Sequence, residues 1–133
     1  MSRENVEVVR SIFDAWNRGD PDGLLEYMYP AVKIDYTAGA LLGTDDSYEG
    51  HEGARKFWRD LTEPWSSLNL EIKQVRENED KVAVAFTFEG TGREGIVVQR
   101  QAGGVYTFTD GLVSRFEAYA DPAEALEAAG LSE

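Results

Sequence analysis

At 133 residues with 42% hydrophobic content, the chain has the length of one ordinary domain and enough apolar material to bury a core. Thirteen basic residues against twenty-five acidic ones leave a formal net charge of −12, spread along the sequence, which argues against DNA, RNA or an anionic membrane surface as a partner. Cysteine is absent and histidine occurs once; disulfides, thiolate metal sites and a cysteine nucleophile are thereby excluded, and neither a metal nor a cofactor is expected.

The first predicted element is a helix from Ser2 to Arg18, because Val6, Val9, Ile12, Phe13 and Trp16 recur at steps of three and four before Gly19. This opening stretch is charged and amphipathic with no continuous apolar run. Neither a secretory signal nor a membrane span is expected, and the cytoplasm is the simplest location. Asp20-Pro21-Asp22 reads as an N-cap followed by proline at the first helical position, opening a short helix through Leu24, Leu25, Tyr27 and Met28 that Pro30 ends. Val32, Ile34 and Tyr36 alternate as a strand. Residues Thr37 to Gly53 hold four glycines and little periodicity, which reads as a long loop with a functional role. A third helix is predicted from about Glu52 to Trp65, with Ala54, Phe57, Trp58, Leu61 and Trp65 on one aromatic stripe.

Beyond Ser67 the period changes to two. Leu68, Leu70 and Ile72 form one strand, Glu77 to Asp80 a polar turn, and Lys81 to Thr91 a second strand carrying Val82, Val84, Phe86 and Phe88. A long hairpin follows Gly95, reversing at Asp110-Gly111, where the backbone freedom of Asp-Gly suits a tight turn. Both of its faces are apolar, with Ala102, Tyr106, Phe108, Phe116 and Ala118 on one and Val97, Val105, Val113 and Tyr119 on the other. The first is expected to pack on the chain's own helices and the second on another subunit, which makes a homodimer the expected assembly. Asp121-Pro122 caps a last helix holding Ala125, Leu126 and Ala129, stopped by Gly130. The order is α+β, with helices segregated to one face of a mostly antiparallel sheet.

That order, with the segments AWNRGDPDGLLEYM, YEGHEGARKFW, DKVAVAFTFEGTG and DGLVSRFEAYADPAEALEAAG, resembles the NTF2-like superfamily and, within it, the SnoaL-like and ketosteroid-isomerase-like proteins. The resemblance spans residues 1–133 as one domain. It implies a cone in which a curved sheet wraps three N-terminal helices, with a short C-terminal helix and a hydrophobic pocket for a small molecule. Such folds host isomerases, cyclases, epoxide hydrolases and non-enzymatic binders, so the site has to be argued separately. The isomerase pattern implies a tyrosine where this chain has Ile12 and a protonated acid where it has Gly104. The epoxide-hydrolase pattern implies aspartates where it has Ala118 and, nearby, Ala83. A SnoaL-like cyclase asks only for one acid/base group in an apolar pocket.

Asp35 is the candidate for that group, although alternation with Val32 and Ile34 turns Tyr36 inward and Asp35 outward unless the register slips by one. Tyr36, Tyr48, Trp58, Tyr106 and Phe116 are candidates for the pocket wall, as is Trp65. Each is also a normal core residue. Arg100 and Gln101 interrupt an apolar strand, so one of them should face inward, as an ion-pair partner of Asp35 or Glu117 or as an anchor for a ligand carboxylate. Ala102-Gly103-Gly104 either makes room for a ligand or lets a strand bend. His51 precedes a helix and is expected to serve the fold and not chemistry. The reading is a pocket protein for a small hydrophobic, cyclic or polyketide-like molecule. Three functions remain in play: acid/base isomerase or cyclase, non-catalytic binder, and protein-interaction module.

Overall fold

The computed structural model describes residues 2–36 and 47–131. Helix α1 (Ser2–Arg18) and the short α2 (Pro21–Leu25) lead into β1 (Met28–Tyr36). Then come β2 (Ser47–Glu49), α3 (Gly50–Thr62), β3 (Trp65–Asn78), β4 (Lys81–Gly92), β5 (Val97–Thr109), β6 (Leu112–Tyr119) and α4 (Pro122–Ala128). The strands make one six-stranded sheet in the order β2-β1-β6-β5-β4-β3. Among the described residues only the β1–β6 pair is parallel. The sheet is curved and unclosed, with α1 and α3 packed into its concave side.

Local signals carry most of this. Asp20 accepts from the Gly23 amide at 2.9 Å with Pro21 just inside α2, and Asp121 does the same for Ala123 at 2.9 Å ahead of α4. Each cap supplies an acceptor to an amide with no partner inside the helix. At the β5–β6 reversal Asp110 and Gly111 take φ of 53° and 80°, the two left-handed positions of a type I′ hairpin turn. Asn17, near the end of α1, clamps the edge strand β3: its amide donates to the Leu70 carbonyl at 2.8 Å and accepts from the Leu70 amide at 2.8 Å. This both ties helix to sheet and occupies edge groups that would otherwise be open to another strand.

Several boundaries differ from the sequence expectation. The short helix stops at Leu25, and Met28 and Pro30 belong to β1. Pro30 is tolerated because it lies in the irregular stretch between the Met28 and Lys33 pairings with β6, where no ladder amide is needed. Of the expected loop, residues 37–46 lie outside the described residues, whereas Ser47–Glu49 form β2. Trp65 is not on the third helix: α3 ends at Thr62, and Trp65 opens β3, packing edge-on to Phe88 at 5.4 Å over the space left by Gly90.

The two faces of the hairpin also need correction. Val113 does not face outward. The β5–β6 register shifts between Thr107 and Phe108, so that Tyr106 pairs with Phe116 but Phe108 pairs with Val113. One extra residue in β6 turns Val113 into the main core, fully buried. Val105 does face the other side, but it is covered by Ala125 and Ala129 of the C-terminal segment, with Tyr119 packed alongside. The chain's own last helix thus covers much of the face expected to need a second subunit. Of that set only Val97 is exposed, next to Ile96.

Candidate functional site

Within the concave side lies a cavity of about 150 Å³. Its walls follow from the periodicities that built the elements. The apolar stripe of α1 contributes Ile12, Phe13 and Trp16, and that of α3 contributes Phe57 and Leu61. The inward positions of the strands supply Ile34 and Tyr36 from β1, Phe86 and Phe88 from β4, Tyr106 from β5, and Phe116 and Ala118 from β6. Phe57 is the hub, with ring centres of Tyr36 and Tyr48 at 5.2 Å, Trp16 at 5.9 Å and Phe116 at 6.3 Å. Tyr106 lies against Phe116 at 4.6 Å. A void of this order is the size that takes a single aromatic ring.

Few polar groups reach this space. Tyr106 is buried, and burial pushes its phenol well above the ordinary value. Tyr36 is pushed up to about 12, by burial first and by the neighbouring Tyr48 second. Both stay neutral, and so able to donate, throughout the physiological range. Among the described residues neither hydroxyl has a hydrogen-bond partner. Arg100 and Gln101 stand at the mouth, and among the described residues no aspartate, glutamate, lysine or histidine lines the cavity. No group of three or more potential metal ligands occurs among the described residues.

The expected site residues therefore divide. Tyr36, Arg100, Gln101, Tyr106 and Phe116 all line the cavity. Asp35 does not. The parallel register sets it beside Glu117, and it accepts from the Arg115 guanidinium at 2.5 Å on the outer side of the sheet. The register is unbroken from Lys33 to Tyr36, so the alternation that turns Tyr36 inward turns Asp35 outward. Arg115 also lies 4.0 Å from Glu117, which accepts from the Tyr119 hydroxyl at 3.1 Å. The proximity of Asp35 raises the pKa of Arg115 further above its already high value.

Tyr48 and Trp58 also fall outside the wall. The Tyr48 ring backs Phe57, and its hydroxyl donates to Asp60 at 2.8 Å. That bond, with Lys56, holds the Asp60 carboxyl below its usual range. Trp58 stacks on Trp16 at 4.5 Å, one layer behind the cavity. His51 lies in the first turn of α3 and its Nε2 is 3.0 Å from the Met28 carbonyl, a tether from helix to β1. Gly103 and Gly104 make room for the protein itself. A Cβ at Gly103 would meet Ala125 at 2.8 Å and Pro122 at 2.9 Å, and one at Gly104 would meet Phe116 at 2.7 Å. Ile12 and Ala118, positions at which the resemblance implied polar groups, are apolar wall here, and Ala83 lies under α4 outside the cavity.

Sequence reasoning did not single out Phe57, Phe86 and Phe88 as wall residues. Their spacing marked them as core, and spacing cannot separate a filled interior from the lining of a void.

Residues 9–116 match the family described as the SnoaL-like domain. A comparison with curated protein sequences gives no match. Among solved structures, TerC co-crystallised with polyporic acid superposes with a TM-score of 0.80 at 23% identity, covering 96% of this chain and 98% of that one. An NTF2-like protein of unknown function from Burkholderia pseudomallei superposes at 0.81 with 24% identity, covering 96% and 97%. The epoxide hydrolase/cyclase-like enzyme SalBIII, described for pyran ring formation in the polyether salinomycin, gives 0.74 at 22% over 90% and 92%. These likenesses extend an NTF2-like fold over nearly the whole length, and the family match across the helices, the sheet and the cavity between them makes the chain a member of the SnoaL-like family.

Proposed function

We propose that the protein, acting as one domain over its length, binds a small, largely apolar ring compound with a hydrogen-bond-accepting oxygen, and holds it without carboxylate-driven turnover. The observation that carries this reading is the pairing of an apolar cavity with two neutral tyrosine hydroxyls that have no hydrogen-bond partner among the described residues. A buried donor left unpaired is costly, so a ligand oxygen that accepts from it gains affinity, and a ligand without that oxygen leaves the cost in place. An acid/base isomerase or cyclase would need a base at the cavity, whereas the candidate Asp35 is engaged by Arg115 outside it. An interaction module presenting its sheet is disfavoured by α4 lying over the outer face. A ligand-bound structural neighbour supports occupancy of such a cavity, since TerC was crystallised with polyporic acid.

The test is calorimetric titration with acetophenone and with ethylbenzene, which has the same shape but no acceptor. Acetophenone is expected to bind more tightly, and Tyr106→Phe to reduce that preference by about fivefold, the scale of one neutral hydrogen bond. Absence of acetophenone binding to the wild-type protein would refute the reading. Trp16, on the cavity wall, provides a second signal through its fluorescence.

We further propose that the protein is a cytoplasmic homodimer. No helix among the described residues is long and apolar enough to cross a membrane. Support for pairing rests on the adjacent Ile96 and Val97, exposed by 64% and 58% where β5 begins, since contiguous exposed apolar surface marks a contact site. Sedimentation at micromolar concentration checks it, and a monomer would count against it.

A further inference from the structure

Arg100 is the one cation among the residues described as lining the cavity. Its placement is set by register: it pairs with Phe88, which is in the main core, and directly opposed residues of an antiparallel pair share a face. The arginine therefore leaves β5 on the concave side, one inward position beyond Ala102, which is itself part of the wall. At this point β5 has lost its other neighbour. Strand β6 ends at Tyr119, opposite Gly103, so among the described residues nothing pairs with the β6 side of β5 from Val97 to Ala102. The cavity opens there, and the arginine is exposed at the opening.

The other arginines for which partners are described meet groups of the chain itself, as Arg18 does with Asp20, Arg55 with Asp22, Arg93 with the Glu63 carbonyl and Arg115 with Asp35. Arg100 has no ion pair or side-chain hydrogen bond among the described residues, in a protein whose formal charge is −12 and where carboxylates are abundant. Glu117 and Asp35, the partners considered for it, stand on the opposite face, engaged with Arg115. A guanidinium is a planar fork of donors suited to two oxygens of one carboxylate.

We infer that the ligand is an anion, an aryl carboxylate or similar compact acid, whose ring enters the cavity and whose carboxylate is met at the mouth by Arg100. This rests on the pocket reading above and adds the charge and the orientation of the ligand. It also assigns the two ends different tasks. The tyrosines read an oxygen within the cavity, and the arginine reads charge at its rim. Because the whole protein is acidic, long-range attraction cannot gather such a ligand, so recognition depends on this local contact.

The experiment compares benzoate with benzamide, its neutral planar counterpart, and includes acetophenone as the probe of the cavity alone. Wild-type protein is expected to prefer benzoate by about five- to tenfold at low salt, a preference that shrinks at high ionic strength because the contact is exposed. Arg100→Gln should bring the benzoate-to-benzamide ratio near one, and Arg100→Lys should keep part of it, with circular dichroism confirming that each variant is folded. A wild-type ratio near one, or a ratio unchanged in Arg100→Gln, overturns the anion anchor while acetophenone binding upholds the cavity. If wild-type protein binds neither acetophenone nor benzoate, the pocket reading itself fails and the anchor with it.

Discussion

On β1, Ile34 and Tyr36 send their side chains to the concave side of the sheet, whereas Lys33 and Asp35 stand on the outer side. The outer polar groups satisfy one another: Asp35, Arg115, Glu117 and Tyr119 form a connected set. The inner polar groups do not, since the Tyr36 and Tyr106 hydroxyls lack partners among the described residues in otherwise apolar surroundings. Hydrogen-bonding capacity left unmet in apolar surroundings is the unusual condition, because native interiors pair nearly all such groups. A self-satisfied polar cluster is ordinary surface, so the inner face, and not the more heavily charged outer one, is where a ligand contributes most.

This contrast can be broken most strongly at Phe57, the ring on which Trp16, Tyr36, Tyr48 and Phe116 converge. Phe57→Ala is expected to cost about 3–5 kcal/mol of stability in urea unfolding, the range for large aromatic truncations in a core. A loss under about 1 kcal/mol would mean that the inner face is not packed around this ring.

Burial of the two phenols makes stability sensitive to alkali. Their folded pKa values lie above the free value of 10.0, with Tyr36 at about 12. Below pH 10 the group is neutral in both states and adds no pH dependence. Between pH 10 and about 12 the unfolded chain releases the Tyr36 proton while the folded one keeps it, so stability falls as pH rises. For Tyr36 the fall is at most about 2–3 kcal/mol. Tyr36→Phe should flatten the unfolding curve in this window by that share, and absorbance at alkaline pH should show late-titrating tyrosines. A wild-type curve with no slope there would contradict burial of these phenols.

The neighbours Gly103 and Gly104 offer a sharper comparison, since each is closed by a different layer. Either glycine to alanine should cost about 1–3 kcal/mol by overpacking. Gly103→Ala pushes on Pro122 and Ala125 of α4 and is expected to leave acetophenone affinity unchanged. Gly104→Ala drives Phe116 toward the cavity and is expected to weaken it. Equal effects on binding would show that the two faces are not independent.

The smallest effects belong to the outer set. Asp35→Asn removes an exposed ion pair and is expected to cost about 0.2–1 kcal/mol with no change in ligand affinity. His51→Asn, at the tether to Met28, should cost no more than about 1 kcal/mol. Loss of binding in either variant, with the fold intact, would move the site to the outer face or to the α3 start.

Much of this architecture is readable from local spacing. Capping at Asp20 and Asp121, the Asp110-Gly111 reversal and the inward turn of Tyr36 depend on a few adjacent residues and on periods of two and 3.6, which act wherever the segment ends up. For the same reason Arg100 could be recognised as an interruption of an apolar strand. Other features rest on contacts between segments far apart in the chain. The sequence pattern put Val113 on the outer side because parity along β6 was assumed unbroken, and a one-residue bulge against β5 reversed it. Trp65 continued a helical stripe in spacing but found its partner in Phe88, twenty-three residues on, and so became the start of a strand. Val105 called for cover, and the covering element proved to be α4 of the same chain. Apolar spacing states that a side chain needs burial, but not which surface buries it or whether a void remains. Those depend on how separate segments meet, and at Arg100 that meeting leaves a cation at the mouth of an apolar cavity without a partner among the described residues.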